Sequence, residues 1–188
     1  MKSAQLLEIL KVAEKLKCTT RHCYTSSGRH ESVAEHSWRI SLMAMLLEKE
    51  FPAADMNKVI RMCLIHDLGE AFTGDIPTFD KGAADEAKEE RLYAQWVATL
   101  PEDAREEFIA LLTEMEAMET QEAKIYKALD KLEAVIQHDE SDISTWLPLE
   151  YDLQLTYGRE NVQFSQYMQS LKSEIDDWTR RKIRESKA

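Results

Sequence analysis

Glycine and proline are scarce in this chain, at 5 and 4 of 188 residues. So few turn formers and helix breakers argue against a fold of many short strands. With 44% hydrophobic and 31% charged residues, the composition points to helices. Cysteine is sparse as well: Cys18, Cys23 and Cys63 are odd in number and match no zinc-finger spacing, which favours reduced thiols over a disulfide framework. No apolar run reaches the length of a membrane span and no signal peptide is evident, so a cytoplasmic location is expected. Positive charge is in deficit, with 24 Lys and Arg against 35 Asp and Glu and a formal net charge of −11. That balance argues against broad contact with nucleic acid or an anionic membrane, and an anionic ligand would need a local cluster of cations or a metal. The length fits one domain over residues 1–188, with a motif-bearing core at about 21–140 and C-terminal helices at about 144–184 packed on it.

What the chain does have is helical periodicity. Leu6, Ile9, Leu10, Ala13 and Leu16 form one apolar face of a first helix that ends near Lys17. Residues Cys18 to Glu31 break the pattern and predict a loop carrying Arg21, His22, Arg29 and His30, either simply solvated or reading a phosphate. Ser32-Val33-Ala34-Glu35 fits a capping box for a second helix, in which His36 shares the buried stripe with Ile40, Met43 and Leu47. Phe51-Pro52 ends it. Asp55 then caps a third helix with an inner stripe of Val59, Met62, Cys63, His66 and Glu70, stopped by Gly74. Helices over about Gly82 to Leu100 and from Pro101 onward show apolar faces and no chemistry. Thr120 caps a sixth helix with the stripe Ile125, Leu129, Leu132 and Ile136. Asp130 lies beside that stripe, between Lys127 and Glu133, where a weak surface salt bridge is the plain reading. A short helix stopped at Tyr157-Gly158 and a final helix from about Asn161 complete an all-α, single compact multi-helix bundle.

The chemistry concentrates between Arg61 and Pro77. On a helix His66 and Glu70 stand at i and i+4, and Asp67 and Glu70 at i and i+3, so all three can project into one groove. The preceding run Met62-Cys63-Leu64-Ile65 is apolar, so neither His66 nor Asp67 is freely solvated, and buried charges need partners or a metal. A His-Asp dipeptide alone also fits a solvated Asp beside a core His.

His36, the His66-Asp67 pair and Asp130 occur in an order that resembles the HD-domain metal-dependent phosphohydrolases. Ser32-Val33-Ala34-Glu35-His36-Ser37, His66-Asp67-Leu68-Gly69-Glu70-Ala71, Thr73-Gly74-Asp75-Ile76-Pro77 and Lys127-Ala128-Leu129-Asp130 extend the likeness to the HD-domain 5′-deoxynucleotidases. The resemblance implies an all-α bundle and metal ligands His36, His66, Asp67 and Asp130, with Glu70 and Asp75 as catalytic carboxylates. It also implies one divalent transition metal, and two imidazoles with two carboxylates suit Mn, Co, Fe, Ni or Zn. Arg21 matches the family's phosphate-reading arginine by its distance from the first ligand, and Lys127 offers a further cation. His22 stands where members of the family can carry a large aromatic residue, which implies weaker discrimination between deoxyribose and ribose.

The implied reaction removes the 5′-phosphate from (deoxy)nucleoside monophosphates. A divalent cation counters the repulsion between an anionic phosphoryl group and the attacking oxygen. Glu70 and Asp75 would share the proton transfers, with their division of roles left open by the sequence. Two alternatives stand beside this reading: an HD-fold hydrolase of a nucleoside triphosphate or signalling nucleotide, and a non-catalytic helical binding protein. A homodimer is expected, with Trp146, Tyr151, Tyr157 and Trp178 offering aromatic surface.

Overall fold

A computed structural model describes residues 1–187, which are helical apart from one short hairpin. The elements are α1 (Ser3–Cys18), β1 (Thr20–Tyr24), β2 (His30–Ser32), α2 (Val33–Leu46), α3 (Met56–Ile65) and α4 (Glu70–Thr73). They continue with α5 (Ala83–Val97), α6 (Glu102–Ala117), α7 (Gln121–Glu140), α8 (Glu150–Thr156) and α9 (Gln166–Glu185). The expected all-α bundle is observed.

Local chemistry accounts for most boundaries. Ser32 Oγ accepts the Glu35 N–H at 3.3 Å while Glu35 Oε2 accepts the Ser32 N–H at 2.8 Å, the reciprocal cap read from the sequence. Asp55 caps α3 through the Lys58 N–H, and Thr120 caps α7 through the Ala123 N–H. The chain is organised around α7, whose Ile125, Ala128, Leu129, Leu132 and Val135 are fully buried. α7 packs against α2, α3, α6, α9 and β1. Burying one such leucine or isoleucine contributes about 1.5–3 kcal/mol.

Four expectations are corrected. The stretch from Cys18 to Glu31 is not a loop: Cys18 ends α1, and from Thr20 an antiparallel hairpin pairs Thr20 with Ser32 and Tyr24 with His30 around a turn at Gly28, whose φ is +82°. The third helix is not continuous to Gly74. It ends at Ile65, and the bonds Leu68 N–H to Ile65 O, Glu70 N–H to Asp67 O and Phe72 N–H to Gly69 O tighten the backbone to a three-residue spacing. Gly69 lets α5 approach this turn closely, because a Cβ there would lie 2.9 Å from Glu89 Cγ. The apolar face of α1 is split: Ile9, Ala13 and Leu16 pack inward while Leu6 and Leu10 face solvent. The last helix starts at Gln166, capped by Ser165, after a run of turns. α8 and α9 dock on the rest of the bundle through polar bonds, including Thr179 Oγ1–H to Asp139 Oδ2 at 2.8 Å and Lys182 Nζ–H to the Ser141 carbonyl.

Candidate active site

His36 comes from the first turn of α2, His66 and Asp67 from the tightened turn after α3, and Asp130 from the middle of α7. His66 still has helical backbone and donates its N–H to the Met62 carbonyl, so it continues the face of α3, while Asp67 opens the tightened turn beside it. His66 Nε2 lies 2.9 Å from Asp67 Oδ2, 3.3 Å from His36 Nε2 and 4.0 Å from Asp130 Oδ1. His36 Nε2 lies 3.4 Å from Asp130 Oδ1 and 3.8 Å from Asp67 Oδ2. Donors held about 2.0–2.2 Å from one ion lie roughly 3.0–3.6 Å apart, which is the spacing these four atoms bracket.

Proton placement tests whether a cation fits. His66 Nδ1 is 2.9 Å from the Cys63 carbonyl, which can only accept, so Nδ1 carries a hydrogen and Nε2 is the atom turned into the cluster. His36 Nδ1 faces a Glu133 carboxylate oxygen in the same way. Two imidazole Nε2 atoms and two carboxylates therefore point into one space, an arrangement that needs positive charge at its centre, supplied by protons on the rings or by a cation that displaces them. Burial and Arg21 depress the His36 imidazolium, but Glu133 and Asp130 outweigh them and lift its pKa to about 9. Burial raises the Asp67 carboxyl, yet His66 and His36 hold it well below the usual carboxylate range. Asp130 is likewise held well down, against burial, by Lys131, Lys127 and the two imidazoles.

Glu70 lies just beyond, at the start of α4. Its Oε2 is buried with no hydrogen-bond partner. Burial, reinforced by the Asp67, Asp75 and Glu89 carboxylates, pushes its pKa up to about 10, so this carboxyl holds a proton at neutral pH. Asp75 is also raised by burial, but Arg21 and the His22 N–H stabilise its ionised form.

An open cleft lined by Arg21, His22, Asp75, Phe79, His138 and Tyr157 among others lies beside the cluster and shares Asp75 with it, while the four donors and Glu70 do not line it. Arg21 Nη1 donates to Glu31 at 2.8 Å and to Glu133 at 3.1 Å, which fixes the guanidinium at the cleft wall. His22 Nε2 sits 3.2 Å from Glu150 Oε1. Lys127 Nζ donates to Asp130 Oδ2 at 3.0 Å, so it braces the carboxylate whose other oxygen faces the histidines.

A family model described as HD domain matches residues 13–172. The chain belongs to the HD-domain family. It is 34% identical to the 5′-deoxynucleotidase HDDC2 of Homo sapiens over 139 residues, which is 72% of this chain and 67% of that protein. The 5′-deoxynucleotidase HDDC2 of Dictyostelium discoideum is 33% identical over 141 residues, covering 70% and 74%. The crystal structure of a predicted metal-dependent phosphohydrolase from Magnetospirillum magnetotacticum matches with a TM-score of 0.78 at 33% identity, over 96% of this chain and 93% of that one.

This HD-domain centre also uses residues that the sequence did not single out. Glu133, with no exposed surface, accepts from Arg21, His36 and Arg39 and ties the hairpin, α2 and α7 together. Glu31 anchors Arg21 from β2, and Lys131 stands 3.4 Å from Asp130 Oδ2. The only sequence signal for Glu133 was its position three residues after Asp130. Lys127 and Asp130 do form the ion pair expected from their spacing, but at the rim of the histidine cluster and not as an isolated surface pair.

Proposed function

We propose that this HD-domain protein is a metal-dependent phosphomonoesterase that removes the 5′-phosphate from (deoxy)nucleoside monophosphates. His36, His66, Asp67 and Asp130 would hold one divalent transition metal, Mn, Co, Fe, Ni or Zn. The observation that carries this reading is the pair of imidazole Nε2 atoms that face each other at 3.3 Å between two carboxylates, beside a cleft walled by a fixed arginine. The relatives named 5′-deoxynucleotidase support the substrate class.

When bound, such a cation supplies Lewis acidity toward a phosphoryl oxygen. The remaining work belongs to the side chains. Arg21 offers its planar fork to phosphate oxygens from the cleft wall. Asp75, whose ionised form Arg21 and the His22 N–H support, takes a proton from the attacking water. Glu70 carries a proton and delivers it to the leaving 5′-oxygen as the P–O bond breaks. His22 borders the space where the sugar would lie, and an imidazole there excludes a 2′-hydroxyl less strictly than a larger ring.

Residues 1–188 act as a single HD domain in this reading, with small nucleotides as partners and neither nucleic acid nor membrane. No helix among the described residues is long and apolar enough to cross a membrane. Three free cysteines, of which Cys23 and Cys63 are buried, are in keeping with a cytoplasmic location. Self-association as a homodimer belongs to the same reading.

The test is phosphate release by the metal-loaded protein from 5′-dAMP, 5′-AMP, 3′-AMP and dATP. Turnover of the 5′-monophosphates over the 3′-monophosphate is expected. Arg21→Ala should lower kcat/KM by roughly ten- to a hundredfold through loss of one charge-assisted contact. Turnover of dATP with none of the monophosphates would overturn the substrate assignment.

A further inference from the structure

A second histidine–carboxylate cluster lies in the cleft, away from the four donors described above. His22 from β1, His138 from the last turn of α7 and Glu150 from the first turn of α8 converge there. His138 Nδ1 lies 2.8 Å from the Ala134 carbonyl, which can only accept, so Nδ1 carries the hydrogen. The Nε2 atom then faces Glu150 Oε1 at 2.9 Å, a contact that needs either a proton or a cation between the two atoms. His66 and Asp67 show the same arrangement, with Nδ1 held by a backbone carbonyl and Nε2 at 2.9 Å from a carboxylate oxygen. A third donor, His22 Nε2, approaches the same Glu150 oxygen at 3.2 Å.

The cluster is built and held. Glu150 is 1% exposed, and its second oxygen accepts the Leu147 N–H at 2.6 Å, which fixes the carboxylate plane. The Trp146 indole N–H donates to the His138 carbonyl and its ring meets the His138 imidazole edge-on. All three side chains line the cleft, and the His22 side chain retains 26% of its exposure, so the open side of the cluster faces the cavity. Two imidazoles and one carboxylate with a vacant direction toward solvent form the donor set zinc takes when one position is left for an exchangeable ligand.

We propose that His22, His138 and Glu150 form a second divalent-cation site of the zinc class, its open position directed into the cleft. The ion would satisfy the facing atoms and offer a ligand in the cleft a coordinating position for an oxygen or nitrogen atom. A single proton shared between His138 and Glu150 is the competing arrangement, and it predicts a different metal stoichiometry.

The experiment titrates metal-free protein with Zn²⁺ and with Co²⁺, counting bound ions per chain by equilibrium dialysis and following the visible absorption of Co²⁺. The parent should take up two ions. Asp67→Ala should retain the one held by His22, His138 and Glu150, with a Co²⁺ absorption band of low coordination number. Adding His22→Ala or Glu150→Gln to that variant should abolish the band and leave no bound ion. Introduced alone, either substitution should reduce the count from two to one, and the retained ion shows that the variant has folded. The site is refuted by a parent that binds one ion, by an Asp67→Ala protein with no ion and no band, or by survival of that band after the second substitution. Because the readout is stoichiometry, it stands apart from whether the protein hydrolyses 5′-monophosphates.

Discussion

Glu70 and Glu133 are both buried glutamates, and their surroundings give them opposite protonation. Burial and the Asp67, Asp75 and Glu89 carboxylates outweigh Arg21 at Glu70, whose Oε2 has no partner, so without a cation its pKa rises to about 10. Burial raises Glu133 too, but His36, Arg21 and Arg39 overcome it and hold the pKa at about 2. Glu70→Gln keeps the shape and loses the proton, so metal should stay bound while turnover falls by roughly 10²–10⁴. The sign of the pH effect follows: the acid is present below its folded pKa and lost as pH rises through it. A bound cation beside Asp67 pulls that value down, so the parent should show an alkaline limb between the ordinary carboxyl value and about pH 10, absent in Glu70→Gln. An unchanged alkaline limb in the variant would remove Glu70 from proton transfer. Glu133→Gln should instead weaken metal binding by roughly 10–100-fold, measured by chelator competition, because His36 loses the carboxylate that orients it. Unaltered affinity in a folded variant would make Glu133 structural only. The convergence of His36, His66, Asp67 and Asp130 was legible in the sequence because their order and neighbouring strings are distinctive. Glu133 was not, since its partners His36 and Arg21 lie 97 and 112 positions away and a side chain's charge does not announce so distant a contact.

At the scale of elements, caps and stripes were readable because they depend on residues three or four apart. Ser32, Asp55 and Thr120 all cap the helices they were expected to cap. The hairpin was not readable: strands of five and three residues, with Cys23 buried in β1 and the adjacent Glu31 and Ser32 both buried in β2, are too short to set a two-residue period. Nor was the break after Ile65, where Gly69 lies too close to Glu89 and Tyr93 of α5 to carry a side chain, a contact between residues twenty or more positions apart. The contact between α7 and α9 carries its own pH dependence. Asp139 is 3% exposed, with Oδ2 accepting from Thr179 and Oδ1 buried without a partner. Burial raises its pKa from 3.8 to about 6, against the Thr179 bond and the Lys182 charge. The folded state therefore binds the proton more tightly than the unfolded chain. Its stabilising effect is complete below pH 3.8 and is lost as pH rises through about 6. Asp139→Asn retains the acceptor for Thr179 without the charge. It should raise unfolding stability at pH 8 by about 1–3 kcal/mol and much less at pH 4. Equal gains at both pH values, or none, in denaturant titrations would show that Asp139 does not titrate with folding.

For the whole molecule, the distribution of apolar surface bears on self-association. The aromatic residues that suggested a dimer face do not supply it: Trp146 is buried, and Tyr151, Tyr157 and Trp178 are only partly exposed. Leu147, Leu149 and Tyr167 add some exposed apolar surface there, but more of it gathers on α1 and α2, which pack against each other. Leu6, Leu7 and Leu10 are 45%, 61% and 50% exposed, and Trp38, Met45 and Leu46 are 62%, 54% and 69% exposed. Trp38 and Met45 stand seven residues apart, two helical turns on one side of α2, and Leu6 and Leu10 one turn apart on α1. Water-facing residues of this size on two neighbouring helices are a better interface than the C-terminal layer, because covering them removes large apolar area at little polar cost. A stable dimer buries roughly 1,200–2,000 Å² in total, which two helix faces of this length can provide. The net charge of −11 opposes association, so an apolar interface should be favoured as salt screens that repulsion. Sedimentation at micromolar concentration is expected to give a dimer that dissociates less readily in high salt. Trp38→Asp, which places a charge in the interface while lying on the outer face of α2, should yield a folded monomer. A parent that stays monomeric at this concentration in both low and high salt, or a Trp38→Asp variant as dimeric as the parent, would show that these faces do not join two copies.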